Sequence, residues 1–254
     1  MNIEEINKAF DKFISDYDMN DERIKLKYDH TYRVAKQSLE IAKSINLDEE
    51  NTKLAYLIGM LHDVGRFPQE KIYHTFNDSI SKDHAELGCK VLFDDGLIRN
   101  FIKDNKYDDL IYKSIYFHNK YSIDDNEIDE NIILHEKIIR DADKIDILHN
   151  VCNLGGIKLP EDDNGISMET MEDFLFETPV SHSHKHTKND STLVMIAFVF
   201  DLNFTYSYRY FKDNEYINKI YNKLKNKELF LPYINKANEH IERKLENVKH
   251  KIFS

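Results

Sequence analysis

The sequence predicts an all-α protein, and two observations carry this prediction. The chain has 7 Gly and 4 Pro among 254 residues, well below the roughly 12% that these two residue types make up in average proteins. Sandwiches and barrels need many turns, so this scarcity argues against them. Apolar residues also recur every three or four positions along most of the chain, which is the spacing of one buried helix face.

The same spacing predicts the elements in chain order. Apolar stripes mark helices within 3–17, 26–45 and 54–61. Asp83, followed three residues later by Glu86, has the pattern of a capping box and begins the next predicted helix, over 83–93. Six further helices are predicted at 108–118, 129–149, 168–176, 192–210, 216–223 and 231–249.

Segment 154–165 holds three of the seven Gly and one Pro. It is therefore predicted to separate a helical core with its N-terminal helix, residues 1–153, from a C-terminal helical extension that packs on it, residues 154–254. The aromatic residues of 198–210 are predicted to pack in a core, with a roof over a nucleobase as the alternative.

The charge balance argues against one class of partner. With 35 Lys and Arg against 46 Asp and Glu, the net charge of −11 disfavours binding to duplex nucleic acid.

The sequence also gives no sign of a membrane segment or of paired cysteines. The longest apolar run, residues 193–200, is much shorter than the ~18 residues that span a bilayer, and no signal peptide pattern is present. Cys89 and Cys152 have no paired spacing that would indicate disulfides or a Cys-type zinc site. We expect a cytoplasmic protein without a membrane role, and a homodimer is compatible with the sequence.

Polar residues interrupt the apolar pattern at informative positions. The helix 54–61 is almost wholly apolar and is followed by His62 and Asp63. A buried carboxylate needs compensation, either by a bound cation or by a Lys or Arg partner. His30, His118 and Asp143 lie on the apolar stripes of other helices. Periodicity alone does not single them out, because three more residues lie on such stripes: His135, Asp141 and His149.

Imidazoles and carboxylates on several helices are how helical bundles build divalent metal sites. Here their motifs also resemble a known family. HTYRVA with His30, LHDVGR with His62 and Asp63, and RDADKID with Asp143 resemble the H, HD, D signature of the HD-domain phosphohydrolase superfamily. The resemblance covers about residues 24–150 and implies an HD-domain helical bundle.

Two further motifs, DHAELG with His84 and IYFHNK with His118, are similar to the extra histidines of the two-metal branch of that superfamily. The resemblance implies two divalent metal ions, with Fe or Mn favoured and Mg, Ni, Co or Zn compatible. It implies that Asp63 bridges both ions. The implied ligands of the first ion are His30, His62, Asp63 and Asp143, and those of the second are Asp63, His84 and His118.

The function implied is hydrolysis of a small nucleotide or other phosphate ester by a hydroxide that bridges the metals. Asp63, Arg66 and Lys144 are the candidate catalytic residues. Arg66, Lys120 and Lys144 are the candidates for binding the phosphate, each with an ordinary surface charge as the alternative. The chain lacks the adjacent histidines and GYP motif of HD-GYP phosphodiesterases, since it continues His118-Asn119-Lys120. It also lacks the HD-x-x-E-D element of guanosine tetraphosphate hydrolases.

Two alternatives stay open at this point. Mixed-valent di-iron oxygenases of the same superfamily use the same histidine and aspartate set, and a metal-binding sensor without catalysis would also retain it. The tract with His182, His184 and His186 is predicted to be an exposed loop rather than another metal site.

Overall fold

The computed structural model describes residues 2–123 and 126–252, and the side chains of His182 and of 248–252 lie outside the described part. All regular structure in those ranges is helical, so the predicted all-α class is confirmed. The helices are α1 Ile3–Ile14, α2 Glu22–Ser44, α3 Glu49–Leu61, α4 Arg66–Tyr73, α5 His84–Cys89, α6 Asp108–Phe117, α7 Glu130–His149, α8 Met168–Leu175, α9 Lys188–Ala197, α10 Thr205–Asp213, α11 Tyr216–Lys223 and α12 Lys227–Ile252.

The chain divides into two compact units, Met1–Asp143 and Lys144–Ser254. The division falls inside α7, whereas the sequence-based boundary lies between residues 153 and 154. In the first unit, helices α1 to α6 and most of α7 surround a core that includes Phe10, Leu57 and Phe67, each fully buried.

Two glycines in the first unit allow close backbone contacts. A Cβ at Gly59 of α3 would lie 2.7 Å from Cα of Ala35 in α2, so only Gly permits this approach of the two helices. A Cβ at Gly65 would lie 2.1 Å from the carbonyl oxygen of His84 and 2.5 Å from the backbone nitrogen of Gly88. These contacts bring α2 and α5 against the segment that carries His62 and Asp63.

The start of α5 follows the predicted capping pattern. Asp83 is the N-cap, and its carboxylate accepts hydrogen bonds from the backbone N–H groups of Ala85 and Glu86 at 2.9 and 3.1 Å. The α-helical part is shorter than predicted, because residues Lys90–Asp94 continue it as a π-helical segment. His84 is consequently the first residue of a helix whose start is fixed by a side chain.

In the second unit, the single helix predicted over 192–210 is wrong. Helix α9 ends at Ala197, a 3₁₀ turn covers Phe198–Asp201, and α10 begins only at Thr205. Leu202 has extended backbone angles, and its carbonyl accepts a hydrogen bond from the Tyr208 hydroxyl at 2.7 Å. At the break, the Leu202 carbonyl is therefore satisfied by a side chain and not by a helical N–H group. The spacing of apolar residues does not change there, so the sequence pattern does not reveal the break.

The aromatic residues around this break pack within the second unit. Phe200 lies edge-on to Phe174, with ring centroids 4.8 Å apart, and Tyr208 is 5% exposed. This agrees with the prediction of core packing. Among the described helices, none has the length and apolar character needed to cross a membrane.

Candidate metal centre

Six side chains from five parts of the first unit converge on one centre. His30 lies in the middle of α2, His62 and Asp63 directly follow α3, and His84 begins α5. The remaining two are His118, directly after α6, and Asp143, in α7. All are largely buried, and the side chain of Asp143 is the most exposed of the six at 19%.

The first half of the centre, called the first subsite below, consists of His30, His62, Asp143 and Oδ2 of Asp63. Nε2 of His30 lies 3.2 Å from Nε2 of His62, 3.2 Å from Oδ1 of Asp143 and 3.3 Å from Oδ2 of Asp63. Nε2 of His62 lies 3.5 Å from the same Asp63 oxygen. Two nitrogens and two oxygens therefore surround one point.

The second subsite consists of His84, His118 and Oδ1 of Asp63. Nε2 of His84 lies 3.1 Å from Nε2 of His118 and 3.4 Å from Oδ1 of Asp63. Nε2 of His118 is 4.0 Å from that oxygen. The two oxygens of one carboxylate thus face two separate sets of imidazole nitrogens.

Three of the four histidines present a lone pair to the centre. Nδ1 of His62 is 2.8 Å from the carbonyl oxygen of Gly59, and Nδ1 of His118 is 2.6 Å from that of Ile115. A carbonyl only accepts, so each Nδ1 carries the proton and Nε2 is bare in the neutral ring. Burial lowers the pKa of His62 and lowers that of His118 to about 3, which keeps both rings neutral.

His84 is oriented by a carboxylate instead. Its Nδ1 donates to Oδ2 of Asp78 at 2.7 Å. Burial alone would raise the pKa of Asp78, but the hydrogen bond from His84 and the charge of Arg66 hold it below its usual value. In the neutral His84 ring, Nε2 is then a bare acceptor that faces the bare Nε2 of His118.

This donor set fits divalent transition metals. Two lone pairs directed at each other across 3.1 Å repel unless a cation or proton lies between them. Ligand atoms about 2.0 to 2.2 Å from one ion lie roughly 3 to 3.5 Å apart, which is the separation of most donors here. Groups able to hold a metal are His30/His62/Asp63, His62/His118/Asp143 and Asp63/His84/His118. Mixed imidazole and carboxylate ligands favour Fe, Mn, Ni, Co or Zn over Ca.

The carboxylates of the centre are ionised despite their burial. Burial works to raise the pKa of Asp63, but the ammonium of Lys27 outweighs it and holds the pKa well below its usual value. Burial opposes the charge of Asp143 in the same way, and the hydrogen bond of His30 lowers its pKa. Two negative charges beside imidazole nitrogens with free lone pairs favour the binding of cations.

Lys27 was missed by the sequence analysis. It lies on α2 three residues before His30, so both side chains point from the same face. Its Nζ is 2.5 Å from Oδ2 of Asp63, and its side chain is 18% exposed. The spacing to His30 was a signal that could have identified it.

Arg66, predicted to bind and activate the substrate, is held by other groups. Its Nη1 donates to Oδ1 of Asp78 at 2.9 Å, to Oε1 of Gln69 at 2.8 Å and to the carbonyl of Phe76 at 2.6 Å. Gln69, fully buried, also donates to Asp78 at 2.8 Å. Arg66 and Gln69 thus fix the carboxylate that orients His84, and the substrate contact of Arg66 stays a prediction.

The other two predicted phosphate ligands also have partners. Nζ of Lys120 is 2.8 Å from Oδ2 of Asp83, the N-cap of α5. Nζ of Lys144 is 2.6 Å from Oδ2 of Asp201, and both residues belong to the second unit. Their contact with substrate, and the catalytic role of Lys144, stay predictions.

Arg140 supports the end of α6 and was also missed. It is 3% exposed, and its Nη1 donates to the carbonyls of Phe117 at 3.0 Å and Lys120 at 2.6 Å. Phe117 is the last residue of α6 and Lys120 follows the helix, and carbonyls at a helix C-terminus lack intrahelical donors. Arg140 therefore fixes the backbone on both sides of His118.

The remaining candidates lie apart from the centre. Nε2 of His135 is 3.4 Å from Oδ1 of Asn51, and Nδ1 of His149 is 3.0 Å from Nδ2 of Asn153. Asp141 is buried and belongs to no metal-compatible group within the described residues. In the His tract, Nδ1 of His184 is 2.6 Å from Oδ2 of Asp173, and His186 is exposed. The side chain of His182 is outside the described part.

Comparison with known proteins gives one finding. Residues 28–148 match the family model described as HD domain. This range contains all six residues of the centre. No curated protein and no solved structure matches the chain.

Proposed function

Since residues 28–148 match the HD-domain family model, we propose that this chain is a metal-dependent phosphohydrolase acting on a small nucleotide or other phosphate ester. The observation that carries the proposal is the position of Asp63. Its Oδ2 lies 3.3 Å from His30 and its Oδ1 lies 3.4 Å from His84, so one carboxylate is shared by two donor sets. Such sharing suits a binuclear site, as phosphoryl transfer requires charge compensation on more than one oxygen.

Each residue has a defined task in this proposal. His30, His62 and Asp143 would hold the first ion with Asp63, and His84 and His118 would hold the second. When bound, two divalent cations supply positive charge for the phosphoryl oxygens and make water a better nucleophile at neutral pH. Asp78 keeps His84 in the tautomer that binds metal, while the carbonyls of Gly59 and Ile115 do so for the two buried histidines.

We place the approach of substrate at Asp143, whose side chain is the most exposed of the six. The chain carries a net charge of −11, so attraction of an anion depends on local cations. For Arg66, Lys120 or Lys144 to bind a phosphate, each would have to leave the carboxylate it contacts. Arg66 holds Asp78, which orients His84, and its Nε also lies 3.7 Å from Oδ1 of Asp63, so its proposed main task is to support the centre.

The test uses the full chain, stripped of metal and reloaded with Mn²⁺ under anaerobic conditions. Release of phosphate or nucleoside monophosphate is measured over a panel of phosphomonoesters, nucleotides and dinucleoside polyphosphates. We expect turnover that requires Mn²⁺ and is lost in Asp63→Asn but retained in Asp16→Asn, a change at an exposed carboxylate outside the centre.

The same preparation tests the oxygenase alternative. Protein reloaded with Fe²⁺ is exposed to dioxygen, and oxygen consumption is followed with small polyols and phosphonates. Absence of hydrolysis across the whole panel in protein shown to hold two ions per chain would refute the proposal. Consumption of dioxygen that depends on an organic substrate would assign the oxygenase reaction instead.

A further inference from the structure

The ammonium of Lys27 lies inside the candidate metal centre although it is not a metal ligand. Its Nζ is 2.5 Å from Oδ2 of Asp63, the oxygen that also faces Nε2 of His30 at 3.3 Å and Nε2 of His62 at 3.5 Å. This ammonium therefore shares its acceptor with the first subsite.

The surroundings of Lys27 offer few other partners. Within the described part of the chain, its contacts are the carboxylate of Asp63 and the ring of Phe76, whose centroid lies 5.8 Å from Nζ. An ammonium at the edge of a buried site needs an anionic partner, because water reaches only a small part of it. Its side chain is 18% exposed, close to the 19% of Asp143.

A bound metal would change this balance. In the proposed function Oδ2 of Asp63 would be a metal ligand, and its negative charge would be shared with a divalent cation. The attraction between Asp63 and Lys27 would then weaken. Lys27 would be left partly buried beside the centre without a full counter-charge.

We propose that Lys27 is a substrate-binding residue that transfers its ammonium from Asp63 to a phosphoryl oxygen of the substrate once metal is bound. This inference rests on the proposed function, and it adds an anion-binding residue that is absent from the sequence motifs. The flexible stem of lysine allows the movement, whereas its start on α2 keeps the ammonium near the first subsite. The Phe76 ring, also 5.6 Å from the guanidinium of Arg66, stays beside it as a cation–π partner.

The test separates metal binding from anion binding. Mn²⁺ affinity of the metal-free protein and the affinity of the Mn²⁺-loaded protein for inorganic phosphate are each measured by calorimetry for wild type, Lys27→Met and Lys27→Arg. The matched control is Lys71→Met, which removes an exposed ammonium whose cation–π partner is the ring of Tyr17. Circular dichroism verifies that every variant is folded.

For Lys27→Met we expect phosphate affinity to fall about tenfold or more, as for loss of a charge-assisted hydrogen bond, while Mn²⁺ affinity is unchanged or higher. Lys27→Arg should restore most of the phosphate affinity, and Lys71→Met should change neither quantity. Phosphate affinity within twofold of wild type, or a loss of Mn²⁺ binding in Lys27→Met, would overturn the inference, because Lys27 would then serve only Asp63.

The outcome is independent of whether the proposed reaction occurs. Hydrolysis by wild type with unaltered phosphate binding in Lys27→Met would reject the role of Lys27 and leave the proposed function intact. Lys27-dependent phosphate binding without hydrolysis of any ester would reject the proposed function and retain an anion site at the centre.

Discussion

The two subsites of the centre are built in different ways. The first is carried by the long helices α2 and α7 and by the turn after α3, and Gly59 brings α2 and α3 into direct backbone contact. The second is carried by the first residue of the short helix α5 and by the residue after α6. Polar side chains support it, namely Asp78 behind His84 and Arg140 behind His118. The first subsite therefore depends mainly on packing, and the second mainly on hydrogen bonds.

This difference indicates that the second subsite is the easier one to lose. Substitutions in its supporting network should remove one ion and spare the other, whereas substitutions at the shared carboxylate should affect both.

Asp63→Ala should weaken metal binding at both subsites by more than about 100-fold, exceeding the loss expected for a supporting residue. The reason is that Oδ1 and Oδ2 face different imidazole sets. Elemental analysis and Mn²⁺ titration followed by electron paramagnetic resonance measure the change. Retention of one ion at wild-type affinity would mean that Asp63 serves a single subsite.

Gly65→Ala should destabilise the metal-free protein by about 1 to 3 kcal/mol or more, because the new Cβ would overlap backbone atoms of His84 and Gly88. Urea unfolding measures the free energy. The matched control is Gly165→Ala, where nothing lies within 4 Å of a new Cβ. We also expect a displaced His84 and a weakened second subsite. Equal stability of the two variants would contradict the close contact of Gly65 with α5.

Asp78→Ala should lower metal affinity about 10- to 100-fold at the second subsite and leave the first within about threefold. The imidazole of His84 would lose the acceptor that fixes its tautomer, and no ligand of the first subsite contacts Asp78 in the described structure. Two-phase Mn²⁺ titration resolves the subsites, with Asp16→Ala as the exposed control. An equal loss in both phases would show that the subsites bind as one unit.

Lys120→Met should have the smallest effect, a loss of no more than about 1 kcal/mol in unfolding free energy. Its ion pair with Asp83 at 2.8 Å is partly exposed, and Asp83 still caps α5 through backbone N–H groups. Thermal and urea unfolding check the stability. If Lys120 instead binds substrate, KM will rise while metal affinity stays unchanged, and the same variant detects this.

The sequence predicts the metal-binding side chains better than their supports. His30, His118 and Asp143 interrupt apolar helix stripes, and the HD pair ends a buried helix, so each leaves a local signal in the pattern. Arg140 leaves none, because it donates to backbone carbonyls 20 and 23 residues earlier in the chain, and any residue type supplies a carbonyl.

The wrong helix over 192–210 has a local cause. Apolar spacing persists through 202–204, but the Leu202 carbonyl accepts a hydrogen bond from the side chain of Tyr208 instead of a helical one. The partners of Arg66 and Lys120 could not be predicted either, since a sequence does not reveal that Asp78 and Asp83 lie within hydrogen-bonding distance of them. The spacing of apolar residues does not show which charged residues meet in the folded protein.

The carbonyl contacts of His62 and His118 have an evolutionary consequence. Both rings are oriented by a main-chain oxygen three residues earlier, which every amino acid provides. Position 115 can therefore drift among apolar residues without changing how His118 presents its lone pair. The orientation of His84 lacks this independence, since it requires an aspartate at position 78. Homologues that have lost the second ion should accordingly show the first substitutions at the position of Asp78, before those at His118.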